Sequence, residues 1–375
     1  MSGGGKEVHE LLTEPITCHC WNGDRTKFAI SPNNNEVHIY TKSGGKWELE
    51  HKLMEHTSRV TGMDWAPKGG SLVTCAADRN AYVWKYDGKA WSPVLVILRI
   101  NRAATIVKWS PLENKFAVGS GARIISVCYF DEQNDWWVSK HIKKPIRSTV
   151  TSLDWHPNNY LIAASCSDFK ARVFSGYVKE IEEKPSETVW GKKMPFGNVM
   201  AEFSNGGGGW VHDVSFSPSG DKLAWVGHDS SISVVNMAAG ADCVATVRHT
   251  YLPYISCQFL TESSIVAAGF DCYPVLWSHD DNNQLTFVNR LDQAEKKASG
   301  QLSAMEKFKG MDKRATTTGS SDTTLDSTHQ NAITQISIFA KDGTGASKFC
   351  TTGVDGRLVI WNCKSLESAI AGLKF

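Results

Sequence analysis

Residues 56–84 read HTSRVTGMDWAPKGGSLVTCAADRNAYVW. Three short runs stand out in this stretch: VTGMDW (60–65), SLVTCAA (71–77) and AYVW (81–84). Turn-forming residues separate them, APKGG after the first and Asp78-Arg79-Asn80 before the third. Short β-branched and aromatic runs bounded by Pro, Gly, Asn and Asp favour strands over helices, which need longer uninterrupted periodicity. A fourth strand starts after the polar hairpin YDGKAW, which ends at Trp91. The stretch therefore reads as one antiparallel four-stranded unit.

The unit recurs. Segments of apolar–x–x–x–x–aromatic form end at Trp21 (ITCHCW), Trp65, Trp109 (ATIVKW), Trp155 (VTSLDW), Phe216 (VHDVSF) and Phe259 (YISCQF), with ITQISI ending at Ile338. Trp21, Trp65 and Trp109 are each 44 residues apart, and Trp155 follows 46 later. The step from Phe216 to Phe259 is 43, whereas those into Phe216 and Ile338 are 61 and 79. Trp47 and Trp91, at the fourth strands, are again 44 apart. Four strands per period of about 44 is the arithmetic of a β-propeller. Seven units predict an all-β, seven-bladed ring over residues 1–375. A loop insertion over 178–209 lies between units four and five, and a helical arm with a Ser/Thr-rich loop over 295–330 lies between units six and seven. The last unit supplies only three strands, so Val8–Leu12 is expected to complete it and close the ring.

These units resemble WD40 repeats. An Asp lies six residues before the residue that ends the third strand in five of them: Asp78–Trp84, Asp168–Phe174, Asp229–Val235, Asp271–Trp277 and Asp355–Trp361. Asn34 holds that place before Tyr40, and Ala122 breaks the pattern. His56 and His329 occupy the family's His position, but the Asp of the Trp-Asp pair is replaced by Lys85, Ser278 and Asn362. The resemblance implies two buried networks, His56–Thr74–Asp78–Trp84 and His329–Thr351–Asp355–Trp361. Such polar groups tolerate burial only when all partners are present. The same residue types could make a catalytic triad, but their recurrence around a ring favours a structural role.

The net charge of +1 gives no general attraction to nucleic acid or anionic membrane. No run reaches the roughly 18 apolar residues of a spanning helix, and no Asn-x-Ser/Thr acceptor occurs. Ten cysteines lie mostly inside strand-like runs and read as buried thiols. Cys18-His19-Cys20 lacks a second ligand pair at zinc-finger spacing. Gly119-Ser120-Gly121 and Gly206–Gly209 lack the Lys-Ser/Thr and the strand–helix setting of a phosphate loop. Neither paired catalytic carboxylates nor a nucleophile elbow is present, so no enzyme activity and no cofactor are expected. The cytoplasm is the expected compartment.

Two features invite partners. Arg59, Arg102 and Arg147 each precede a first strand, and Lys140, Lys143 and Lys144 crowd the third of these loops. They are either solvated loop charge or a face for an acidic peptide. In the 295–330 insertion, Ser303 and Glu306 fit a capping box. Met305, Phe308 and Met311 then form an apolar stripe among Lys307, Lys309, Lys313 and Arg314. That stripe either packs back on the ring or enters a partner's groove.

The strings HELLTEPITCHCWNGDRTKFAISPNNNEVHIY (9–40), DWHPNNYLIAASCSD (154–168) and SAMEKFKGMDKRA (303–315) go further. Together with the opening stretch they resemble the WD40 subunits of the actin-related protein 2/3 complex, nearly end to end. That resemblance implies a non-catalytic scaffold in the actin-rich cell cortex. It implies contacts with the other subunits of that complex, with an actin filament through the arm, and with nucleation-promoting factors that carry acidic tails. A generic adaptor, such as a ubiquitin-ligase substrate receptor, needs a ligase-binding motif for which this chain has little room. A propeller hydrolase needs acids or a metal converging in the central channel.

Overall fold

The computed structural model describes residues 5–205, 208–292, 325–343 and 345–363. Among them are twenty-eight strands in seven four-stranded antiparallel sheets. In six sheets the strands pair in chain order. Blade two, for example, runs Val60–Trp65, Leu72–Ala76, Ala81–Tyr86 and Trp91–Val96 from the central channel outward. Second strands are mostly buried, and LVTCA and LIAASC wholly so, because neighbouring blades cover both faces. The apolar core accordingly lies between blades, as in the cluster that joins Val107, Trp109 and Phe116 of blade three to Val73 and Val83 of blade two.

The seventh sheet closes the ring. Its outer strand is Lys6–Glu10, antiparallel to Arg357–Asn362 with Lys6 opposite Trp361 and Glu10 opposite Arg357. The expected Val8–Leu12 strand is thus displaced two residues toward the N-terminus. Leu11 and Leu12 leave the ladder, donate their amides to the Gly356 carbonyl and pack beside Ile16 and Trp21. Lys6 Nζ reaches Asp292 Oδ1 at 2.7 Å and Thr328 Oγ1 at 2.6 Å, and Thr328 Oγ1 donates to the same carboxylate at 2.9 Å. The closing strand is therefore pinned to both flanks of the insertion that separates blades six and seven.

The insertion in blade four also differs from expectation. Val199–Ser204, inside the predicted 178–209 loop, is that blade's regular outer strand. The extra chain occupies the third-to-fourth-strand connection, residues 176–198. It folds down against the ring, with Trp190 and Met194 buried and the Trp190 indole donating to the Gly220 carbonyl at 2.8 Å.

Neighbouring first strands are stitched by a threonine belt around the channel. Thr61 donates to the carbonyl of Ala104 (2.9 Å), Thr105 to Val150 (2.6 Å), Thr151 to Val211 (2.5 Å) and Thr334 to Ile16 (2.9 Å). In each donor strand the threonine sits at a β-bulge, where the register skips one residue. Blades five and six carry His212 and Ile255 at this position. There Asp213 takes over, accepting from Ser256 Oγ (2.8 Å) and the Cys257 amide (2.9 Å).

Candidate protein-interaction face

One face of the ring gathers the blade-to-blade loops and the turns between second and third strands. The repeated Asp shapes it. Asp78 accepts the Thr57 amide, Asp168 the Arg147 amide, Asp271 the Leu252 amide and Asp355 the Gln330 amide, at 2.8–3.3 Å. Each carboxylate thus fixes the loop that leads into its own blade.

Blades two and seven carry this further. His56 Nδ1 lies 2.9 Å from Asp78, its Nε2 lies 2.9 Å from Thr74 Oγ1, and the Trp84 indole donates to that oxygen at 2.9 Å. His329, Asp355, Thr351 and Trp361 repeat the arrangement at 2.8–3.0 Å. Burial lowers the His56 pKa, so the neutral ring donates from Nδ1 to Asp78 and accepts from Thr74. Both threonines are fully buried and already accept an indole N–H, so neither hydroxyl can meet a substrate. Asp78→Ala and Asp355→Ala should each lower stability by about 1–3 kcal/mol, the cost of an orphaned buried donor. Denaturant midpoints equal to wild type in both variants would contradict this.

In blades two to seven the turn residue after the Asp position adopts a left-handed backbone: Arg79 (φ 72°), Arg123 (62°), Phe169 (66°), Ser230 (60°), Cys272 (65°) and Gly356 (71°). Only blade seven has the glycine that the conformation favours; a side chain there costs roughly 1–2 kcal/mol. The turns thereby add exposed Arg79 and Arg123 to exposed Arg59, Arg102, Lys143, Lys144 and Arg147. Sequence reading missed the first two, although the Asp-plus-one position marks them once the repeat is aligned. Lys140 does not belong to this face. It lies within the outer strand Trp136–Ile142, where Glu180 pairs with it at 3.1 Å and Phe196 lies under its ammonium. The arm residues Met305, Lys307, Phe308, Lys309, Met311, Lys313 and Arg314 lie outside the described residues.

Lys108, Asp154 and Asp213 line the channel, and Asp64 acts on the same lysine. Their carboxylates serve the blade junctions: Asp64 accepts the Trp109 amide and Asp154 the Phe216 amide, each at 2.7 Å. Burial works against the Lys108 charge, but Asp64, Asp154 and Asp213 outweigh it and raise its pKa. Burial pushes Asp154 up to about 7. Its folded pKa therefore exceeds its unfolded value, so acidification from about pH 8 to about pH 5 adds stability through this group. Asp154→Asn keeps the acceptor for Phe216 and removes the charge. The variant should gain on wild type most near pH 8, and the gap should shrink toward pH 5. Parallel stability–pH curves would show that Asp154 carries no such penalty. Among the described residues no three His, Cys, Asp or Glu side chains are placed to hold a metal ion.

The WD domain, G-beta repeat family matches residues 47–85 and 138–175. Actin-related protein 2/3 complex subunit 1A-A of Xenopus laevis is 60% identical over 98% of this chain and 99% of its own length. The chain belongs to the actin-related protein 2/3 complex subunit 1 family. Subunit 1 of Schizosaccharomyces pombe is 42% identical over 95% of this chain and 98% of its own length. Subunit 1B of Arabidopsis thaliana is 39% identical over 97% and 98% respectively. A subunit 1 chain with this geometry offers a rigid ring, a basic loop face and a channel whose acids are spent on cohesion.

Proposed function

We propose that this chain is the non-catalytic scaffold subunit of an actin-related protein 2/3 complex, supporting actin filament nucleation and branching in the cytoplasm and at the actin-rich cortex. The similarity that runs nearly end to end carries this reading. A generic adaptor is not favoured, since the matched relatives are named as one subunit of one complex and cover the whole ring. The test is co-purification of a tagged chain. Recovery of the other subunits of the complex is expected, and recovery of ubiquitin-ligase components instead would overturn it. The same preparation lacking residues 297–320 addresses the arm, with Met305, Phe308 and Met311 as its apolar contact to actin. The truncated chain should still assemble, while branch formation falls.

The basic loop face is proposed as the seat for acidic tails of nucleation-promoting factors. Arg79, Arg102 and Arg123 make no ion pair among the described residues, which leaves their charge available to a partner. Arg59→Glu, Arg102→Glu and Arg147→Glu together should weaken binding of an acidic tail peptide on the order of tenfold or more. The wild-type affinity itself should fall steeply with salt. Full affinity in the triple variant would reduce the patch to solvated charge.

A further inference from the structure

The two flanks of the insertion between blades six and seven touch each other. Asp292 follows the outer strand Leu285–Arg290, and Thr328 precedes the first strand Ile333–Asp342. Asp292 is only 2% exposed. Its Oδ2 accepts the Thr328 amide at 2.5 Å and its Oδ1 the Thr328 hydroxyl at 2.9 Å. Arg290 adds a second link between the flanks. It donates to the Asp326 carbonyl at 2.5 Å while its guanidinium lies 3.8 Å over the Tyr273 ring.

The closing strand reaches the same point from its own side. Lys6 Nζ meets both Asp292 Oδ1 and Thr328 Oγ1. Arg357 bridges as well, donating to the Thr328 carbonyl at 2.5 Å and to Glu10 Oε1 at 2.8 Å. None of these side-chain contacts is needed to pair the sheet, since the ladder from Lys6 opposite Trp361 to Glu10 opposite Arg357 is main chain. A buried carboxylate holding donors from both flanks and from the closing strand is a joint between three segments of chain. Fixing both ends of an insertion at one point removes the freedom of its base, so the joint sets where the inserted arm leaves the ring.

We propose that Lys6, Asp292 and Thr328 are positioning residues that couple the closing strand to the arm's contact with actin. The proposal rests on the assembly reading and on that contact, both stated above. Coupling between two sites is reciprocal. A joint that steadies the arm for a filament is itself steadied when the filament binds, and Lys6 carries the effect into the strand Lys6–Glu10.

The experiment uses the full chain inside the purified complex. Wild type is compared with Lys6→Met, Lys6→Arg and a deletion of residues 297–320. The measurements are co-sedimentation with actin filaments and hydrogen exchange of a peptide covering residues 5–12. In wild type, filaments should slow exchange of the closing strand. Lys6→Met leaves Asp292 its two donors from Thr328, so it should assemble normally. It should bind filaments about fivefold more weakly and lose most of the slowing, while Lys6→Arg restores both. A strap that serves ring closure alone predicts a different result: Lys6→Met exchanges faster with and without filaments alike, at unchanged filament affinity. That result overturns the proposal. So do a wild-type strand indifferent to filaments, a Lys6→Met chain that fails to assemble, and a Lys6→Arg chain that restores neither effect. The deletion separates the two failures. If it binds filaments and branches like wild type, the arm reading has failed and the coupling with it. If it loses filament affinity while Lys6→Met keeps it, only the coupling has failed.

Discussion

Glu182→Ala should cost this protein about 3–5 kcal/mol, the penalty for leaving one member of a buried ion pair without its counter-charge. The stranded partner is Lys115, whose side chain is wholly inaccessible and ion-paired to Glu182. Trp155 and Tyr160 lie 5.3 and 5.7 Å from its ammonium, so without Glu182 only aromatic faces remain. Burial already pushes Lys115 down to about 8 against the pull of Glu182. In the variant the lysine should lose its proton at still lower pH. A lysine whose folded pKa is depressed holds fewer protons folded than unfolded, so stability of the variant should climb as pH rises above neutrality. Glu182 also accepts from Asn159 Nδ2 at 2.6 Å and from the Val178 amide at 2.8 Å, which ties the 176–198 insertion to blades three and four. Urea midpoints at two pH values and proteolysis between residues 183 and 193 measure both effects. A Lys115→Met, Glu182→Leu double variant should recover most of the loss, because matched apolar residues often replace a buried pair at little cost. A Glu182→Ala midpoint within error of wild type would mean that the pair is solvated.

Deleting residues 1–14 should turn a monodisperse protein into an aggregating one. The thermodynamic part is modest. The closing strand is mostly exposed, with Val8 at 43%. Its ladder bonds, about 0.5–1.5 kcal/mol each, are largely offset by the entropy of ordering five residues. Removal also breaks the Lys6–Asp292 and Arg357–Glu10 ion pairs. The larger consequence is kinetic and colloidal, since Arg357–Asn362, RLVIWN, would become an open apolar edge ready to pair with another chain. Light scattering on warming measures it. A truncated chain that stays monomeric with the wild-type melting profile would show that the ring does not need its strap.

The ring, its blade count and its strap were legible because each depends on local pattern: strand-length runs, aromatic ends and turn residues at a fixed period. The strap's register was misread by two residues. Leu11 and Leu12 look like strand, but apolar contacts with Ile16 draw them out of the ladder. VMAEFS was absorbed into the blade-four insertion because the insertion displaced the hairpin that announces an outer strand elsewhere. The threonine belt was in view as the second residue of ITCHCW, VTGMDW, ATIVKW, VTSLDW and ITQISI. Its acceptors, however, lie on the next blade, 43–60 residues on for Thr17, Thr61, Thr105 and Thr151 and 318 residues back for Thr334, and no local pattern names them. Arg79 and Arg123 reach the basic face through a backbone conformation that composition does not signal. Lys140 was assigned to that face by sequence neighbours, while strand alternation and Glu180 place it elsewhere.

The pairing of Lys6 with Trp361 also sets an order of events during synthesis. The strand that leaves the ribosome first must wait for the one made last. At about 5–20 residues per second, the intervening chain takes roughly 20–70 s to appear. Through that interval six blades can assemble from neighbouring contacts, but the ring stays open at both the first and the last blade. The nascent propeller therefore carries two unpaired flanks until Arg357–Asn362 has emerged, which is the window in which a holding chaperone has most to protect.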